Sequence, residues 1–416
     1  MIKRVSFLTL TLLLTATVGL FAEEKEFDAH ATTFSYFFKD GDMDFHFGNL
    51  ILGATRNGGA EIGEAFYAAS RIKDGDAASW QEEWYKLAQR VEKRGLEALK
   101  GKHKKSAADQ LLRAAYYYRI SLLAMQANNP ELKKRGETCR VLMQKAGTLL
   151  NPPLEYIEIP FEDTVLPVFF RKADNSGKPA KTLVMIGGGE TFIEDLFFYI
   201  EPQAHARGYN FMTVDLPGQG MMPLSGQVFR TDTNMAMKKV IDYALSRPDV
   251  DRNRLASYGI SGGGLFVPQA AMHDSRIKAI AMNSGVVDAQ RLFRTMPATQ
   301  ASPENIAEWS SFHAGVVKSI CWRYGVNNPA ELVEANRGNT FDGSKIKAPA
   351  LLIVGEGEYR SKEVQRQQQI AMESFRDKRS CLVVTPSDEG ATNHCIMENR
   401  SLVGQVLFDW LDEVLK

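Results

Sequence analysis

Ser261 stands at the centre of Gly259-Ile260-Ser261-Gly262-Gly263, the G-x-S-x-G spacing of a serine nucleophile held in a sharp strand-to-helix turn. The spacing has a physical reason. Glycines two residues to either side remove the Cβ atoms that would collide when a serine occupies a strained turn. A helix beginning just after the serine directs its free N–H groups at the point where negative charge develops during attack on a carbonyl. The flanks agree with that geometry: an apolar strand begins at Leu255, and Leu265-Phe266-Val267-Pro268-Gln269-Ala270-Ala271 continues as a small-residue helix. The pentapeptide alone would also fit a plain Gly-Ser turn; the order strand, turn, helix favours the nucleophile.

Such a serine needs a base, an acid that orients the base, and an oxyanion hole. In the strand–elbow–helix arrangement the acid and then the histidine follow the serine, each on a loop after a late strand. Of the seven histidines only His394 fits, in Asp388-Glu389-Gly390-Ala391-Thr392-Asn393-His394, between the last expected strand and a closing helix. The acid is expected after strand 351–354, where Gly355-Glu356-Gly357-Glu358 follows at once. A spacing of three residues past the glycine selects Glu358, with Glu356 as the alternative. Glutamate reaches one methylene further than the commoner aspartate, which loop geometry can absorb. The oxyanion donors are expected at the backbone N–H of Gly262 and at the glycines after the strand ending at Ile186, with Gly188 first and Gly189 second. Backbone donors must approach the substrate closely, and glycine allows it.

The surrounding elements divide in two. Residues 23–150 read as helical. Ser79 and Glu82 have capping-box spacing ahead of Trp80, Trp84, Leu87 and Val91, and Ser106 with Asp109 repeats it before Leu111, Leu112, Ala115, Tyr118 and Leu122. Asn129-Pro130 caps a third helix, and 61–71 is a further one. Asn151-Pro152-Pro153 ends the pattern. Residues 151–416 then alternate strands and helices, with strands expected at 155–160, 165–171, 181–186, 210–214, 255–259, 277–282, 349–354 and 381–385, and a closing helix at 402–415. Such alternation predicts an α/β fold with a mostly parallel sheet and helices on both faces. The stretch 286–345, with Trp309, Phe312, Trp322 and Tyr324, reads as a helical lid inserted between two strands.

Composition limits the function classes. Lys plus Arg and Asp plus Glu are 50 each, so there is no basic excess of the kind that binds nucleic acid. A small-molecule substrate is expected. Lys3 and Arg4 followed by the apolar run 5–21 predict a signal peptide over 1–22 and an exported, periplasmic or secreted protein; membrane attachment would require that segment to stay uncleaved. Cys139, Cys321, Cys381 and Cys395 form no C-x-x-C pair, so free thiols are expected and neither a metal nor a cofactor is implied.

Asp215-Leu216-Pro217-Gly218-Gln219-Gly220, the elbow, and Glu389-Gly390-Ala391 with His394-Cys395 resemble α/β-hydrolases that carry an amino-terminal helical domain. That group includes the bacterial 2,6-dihydroxypseudooxynicotine hydrolase, the fungal polyketide-shortening hydrolases and the fermentation-respiration-switch esterases. Ala68-Ala69-Ser70-Arg71, Ser79-Trp80, Leu112-Arg113-Ala114 and Tyr117-Tyr118-Arg119 extend the resemblance into the helical part, so that it covers about residues 60–416. The resemblance implies the α/β-hydrolase fold and a pocket between helical domain, lid and sheet. It also implies hydrolysis of a carbon–carbon bond beside a ketone or of an ester, and often a homodimer. A further acidic pocket residue is implied as well, with Asp288 the candidate, and Tyr116 to Arg119 are placed near the pocket or in the core. Two features depart from the group: Glu358 stands where aspartate is usual, and the leader is not expected of an intracellular catabolic enzyme. A serine peptidase of the prolyl-oligopeptidase type and a non-catalytic ligand-binding relative are the alternatives.

Overall fold

The computed structural model describes residues 27–416 and, before them, only the backbone of Lys3–Arg4. The leader expected over 1–22 therefore lies outside the described residues, that dipeptide's backbone apart. Among the described residues the sheet has nine strands: β1 (Lys3–Arg4), β2 (Leu154–Phe161), β3 (Thr164–Arg171), β4 (Ala180–Ile186), β5 (Asn210–Val214), β6 (Val250–Ile260), β7 (Ala279–Asn283), β8 (Ala350–Gly355) and β9 (Cys381–Thr385). Their order is β1-β9-β8-β7-β6-β4-β5-β3-β2. The strands from β9 to β5 pair in parallel, while β1, β2 and β3 are antiparallel additions at the two edges.

The apolar runs that read as buried strands are buried on both faces, as a sheet covered by helices requires. Side chains alternate between those faces. In β4, Leu183 and Met185 join one apolar cluster and Val184 and Ile186 the other; in β8, Leu351 and Ile353 divide from Leu352 and Val354 in the same way. One face is covered by the helices Ile193–Ala206 and Arg400–Val414, and the other by Asn234–Ser246, Gly263–His273 and Lys362–Ser374. The amino-terminal helices Ala77–Lys100, Lys104–Ile120 and Pro130–Gly147 stack in sequence and share the first of these clusters, so that their core is continuous with the sheet's.

Several element ends differ from the sequence expectation. Asp76, not Ser79, caps Ala77–Lys100: its carboxylate accepts the Ser79 N–H at 2.7 Å, which places Ser79 inside the first turn. Ser106 likewise falls inside Lys104–Ile120, whereas Asn129 caps Pro130–Gly147 as expected. β6 begins at Val250, five residues ahead of its apolar part, because the polar residues 251–254 lie towards the solvent-facing end of the strand. The segment before the first long helix, which lacks a clear period, forms the short helix Gly41–Phe45 running into a π-helical turn, His46–Leu52. Residues between β7 and β8 form four short helices and a longer one, Ser311–Tyr324, within 289–335, pinched at the base by pairing of Asp288 with Thr340. No helix among the described residues is long and apolar enough to cross a membrane. Cys139, Cys321 and Cys395 are free thiols.

Candidate active site

β5 follows β4 on one side and β6 lies on its other side, so connections diverge at the carboxyl ends of β4 and β6 and leave a crevice there. Ser261 directly follows β6, with φ of +53°, in the left-handed region that residues with a Cβ normally avoid. The turn closes only because its flanks lack side chains: a Cβ on Gly259 would lie 1.9 Å from the carbonyl oxygen of Gly263. The Ser261 N–H donates to the carbonyl of Asn283 at 2.8 Å, tying the elbow to β7.

Gly188 passes against the serine from the end of β4. A Cβ there would stand 2.4 Å from Ser261 Cβ and 3.0 Å from the Gly262 nitrogen. Gln219 fixes this loop, donating from its side-chain amide to the carbonyls of Gly187 (2.6 Å) and Gly188 (3.2 Å) and accepting the Leu216 N–H at 3.0 Å. Carbonyl and N–H of a trans peptide point in opposite directions, so the Gly187 carbonyl's bond turns the Gly188 N–H away from Gln219. Gly188, Gly189 and Gly262 all line the cavity beside Ser261.

His394 lies in the turn after β9 and donates from Nδ1 to Glu358 Oε1 at 3.1 Å. Ser284 Oγ donates to the same oxygen at 2.8 Å. Glu358 is buried in the short helix Glu356–Tyr359, whereas Glu356 is exposed and accepts the Ser387 N–H at 2.9 Å. Thr392 joins the two loops: its hydroxyl accepts the Gly357 N–H (2.8 Å) and its carbonyl the Glu358 N–H (3.3 Å). His394 lines the same cavity as Ser261 and its buried Nε2 has no partner, although no hydrogen bond joins the two side chains. Burial works against a charged His394 ring, but the Cys395 sulfur and the Glu358 carboxylate outweigh it and hold the imidazole well above its ordinary range.

The cavity measures about 560 Å³, within the range of small-molecule sites. Leu265, Phe266, Leu292, Phe293, Ile320 and Tyr324 give it an apolar wall drawn from the elbow helix and the insertion. Residues 27–46 close it from the side: the Phe27 ring stands edge-on to His394 at 5.9 Å, and His30, Asp42 and His46 face inward.

A family model described as Esterase FrsA-like matches residues 73–308. The chain belongs to the FrsA-like esterase family. It is 30% identical over 332 residues to 20-hydroxy-prefusarin hydrolase FUS2 of Gibberella moniliformis, covering 73% of this chain and 79% of that protein. It is 28% identical to hydrolase LUC6 of a Fusarium species over 87% of this chain and 94% of the relative. The crystal structure of 2,6-dihydroxy-pseudo-oxynicotine hydrolase superposes with a TM-score of 0.70 at 20% identity, over 87% and 95% of the two chains, and shares the α/β-hydrolase fold. The protein is a hydrolase.

Four residues considered for the pocket of this FrsA-like chain take other positions. Asp288 does not line the cavity; its carboxylate caps the helix Ala289–Arg294 by accepting the Arg291 N–H at 3.0 Å. Tyr116, Tyr117 and Tyr118 pack in the core, and from that helix turn only Arg119 reaches the cavity, paired with Asp195 at 2.9 Å. The acidic residues that line the FrsA-like cavity are instead Asp28, Asp42, Glu190 and Asp195. Asp42 gathers His30 and His313 on its two oxygens, and these histidines hold its carboxyl well below the usual range despite the opposing effect of burial. Burial lowers the affinity of the His30 ring for a proton, but Asp42 and Glu190 outweigh it and push the pKa up to about 9. Sequence reasoning missed this group because its members lie far apart along the chain. The one local signal was Glu190, placed directly after the glycines proposed as oxyanion donors.

Proposed function

We propose that this hydrolase is a serine enzyme in which Ser261 is the nucleophile, His394 the base and Glu358 the acid that orients it. The observation that carries this reading is the Glu358–His394 contact at 3.1 Å. It uses Nδ1 and leaves Nε2 unpartnered on a ring that lines the same cavity as Ser261. The separation of Ser261 and His394 is compatible with the reading, because such bonds are often long in free enzymes and tighten when substrate binds. Ser261 Oγ adds to a carbonyl carbon while His394 Nε2 takes its proton, and Glu358 stabilises the imidazolium through Nδ1. The oxyanion is held by the N–H groups of Gly262 and Gly188. As the tetrahedral adduct collapses, His394 returns the proton to the leaving group, an enolate carbon or an alkoxide oxygen. Water then hydrolyses the acyl-serine by the same route.

The substrate is a small carbonyl compound. The mostly apolar cavity supports this, as do relatives named for small molecules, a 20-hydroxy-prefusarin hydrolase among them. Cleavage of a carbon–carbon bond requires a second carbonyl or a similar electron sink in the leaving group; an ester requires none. Turnover of aryl β-diketones against p-nitrophenyl esters, with products identified by mass spectrometry, separates the two. Export is proposed on the strength of the 1–22 leader and is tested by fractionating cells.

A fluorophosphonate probe is expected to label Ser261, and Ser261→Ala to reduce turnover by roughly 10⁶-fold with the fold retained. More than a few per cent of residual activity, or no labelling of folded protein, overturns the reading. Unlabelled folded protein is also what a non-catalytic ligand-binding relative would give.

A further inference from the structure

We propose that His30, His46 and Glu190 form a binding site for a divalent transition-metal ion of the zinc type, set in the wall of the Ser261 cavity. Nε2 of His30 and Nε2 of His46 lie 3.7 Å and 3.5 Å from one oxygen, Glu190 Oε2, and the three ligand atoms fall within 4.8 Å of one another. These separations are too long for hydrogen bonds. They are close to the edge of a zinc tetrahedron: ligands about 2.0–2.1 Å from the ion stand roughly 3.3–3.4 Å apart.

The contacts behind the ligands are those a metal site needs. His46 Nδ1 lies 2.6 Å from the carbonyl oxygen of Asp42, which can only accept, so Nδ1 carries the hydrogen and Nε2 is left for a metal. His30 Nδ1 donates to Asp42 Oδ1 at 2.6 Å, which fixes the second ring in the same sense. His313 binds Asp42 Oδ2 and steadies the carboxylate. Metal-bound imidazoles are oriented by carboxylates and carbonyls in this manner. The helix Gly41–Phe45 supplies Asp42, and the π-helical turn that continues it supplies His46.

Two imidazoles with one carboxylate favour zinc and its transition-metal neighbours over calcium or magnesium, which take oxygen ligands. Three protein ligands leave a fourth position. His30, His46 and Glu190 all line the cavity, so that position opens towards whatever Ser261 attacks. Glu190 follows two residues after Gly188, the glycine that packs against Ser261. None of this was visible as a motif, because the histidines and Glu190 come from segments far apart in the chain.

The test uses the full-length protein, stripped with a chelator and titrated with Zn²⁺ by calorimetry and with Co²⁺ by visible absorption. One ion per chain is expected, with a cobalt spectrum of low coordination number. Glu190→Gln and His46→Ala are expected to weaken binding by more than about 100-fold, and His313→Ala by about 10–100-fold through Asp42. His103→Ala, at an exposed site, is expected to bind as the parent does. Circular dichroism and melting curves confirm that each variant is folded; Glu190→Gln keeps the shape of the side chain and guards against a folding artefact. Ser261→Ala is expected to bind the metal normally, which keeps this inference separate from the triad reading. Failure of folded parent protein to take up one equivalent, or uptake that persists in folded His30→Ala/His46→Ala protein, overturns the proposal. The cluster would then be a proton-bridged network only.

Discussion

At the scale of single residues, the proposed chemistry depends on which atoms are left free. Glu358 occupies Nδ1 of His394, so only Nε2 can act as a base. The base must be neutral, and its pKa is raised against the opposition of burial, so kcat/KM is expected to climb with pH along a limb centred above the ordinary histidine value of about 6.5. Glu358→Gln removes one of the charges that raise it. The limb should move to lower pH while kcat falls by about 10⁴-fold, the scale seen when a triad acid is neutralised. Glu356→Gln, at the exposed neighbour, should change neither. An unmoved pH limb in Glu358→Gln would count against its role. Gly188→Ala puts a methyl 2.7 Å from Ser261 Oγ and disturbs one proposed oxyanion donor. A loss of at least about 10²–10³-fold in kcat is expected, with a lower melting temperature because the same methyl crowds Ser261 Cβ. An unchanged kcat would move the donor to Gly189.

Between residues and the whole lie the two loops that carry acid and base. They are consecutive neither in sequence nor in one helix, and Thr392 holds them in register through the Gly357 and Glu358 amides. Its hydroxyl also meets Ser387 (2.8 Å) and Thr33 (3.1 Å), which connects the loops to the segment beside the cavity. Thr392→Val keeps the volume but strands the Gly357 N–H, at a cost of about 1–3 kcal/mol in stability. A misplacement of about 1 Å can cost 10²-fold in rate, so kcat should fall by up to about that factor with KM less affected. Steady-state kinetics beside a denaturant titration distinguish the two effects; wild-type kcat would show that the loops hold their register without this threonine.

For the molecule as a whole, the helical layer and the sheet behave as one packed body. Arg140, on Pro130–Gly147, pairs with Glu194 at the start of Ile193–Ala206 and with Asp215 after β5, at 2.9 Å in the latter case. Arg140→Met leaves two buried carboxylates without their cation. Breaking such a network by removing one partner costs about 3–5 kcal/mol, to be read as a lower denaturation midpoint. A loss below about 1 kcal/mol would class the contact with exposed ion pairs. The insertion is joined to the helical layer in the same way: Phe312 packs on Trp80 at 4.9 Å, and its N–H donates to the Gly75 carbonyl.

The sequence by itself determined the strands of the parallel sheet, the elbow around Ser261 and the loops that carry Glu358 and His394. These are legible because each depends on local patterns: apolar runs for doubly covered strands, and glycines where a Cβ cannot fit. It left Glu356 beside Glu358 and Gly189 beside Gly188, and it put Ser79 at a cap that Asp76 provides. Choices of that kind turn on which of two adjacent side chains or amides points inward, and packing decides them. Tertiary structure alone brought His30, Asp42, His46 and Glu190 together, since no periodicity links a segment without clear period to a loop after β4. Contacts between positions so far apart in the chain carry no local signature, and they exist only once the sheet, the helical layer and the insertion have closed around one cavity.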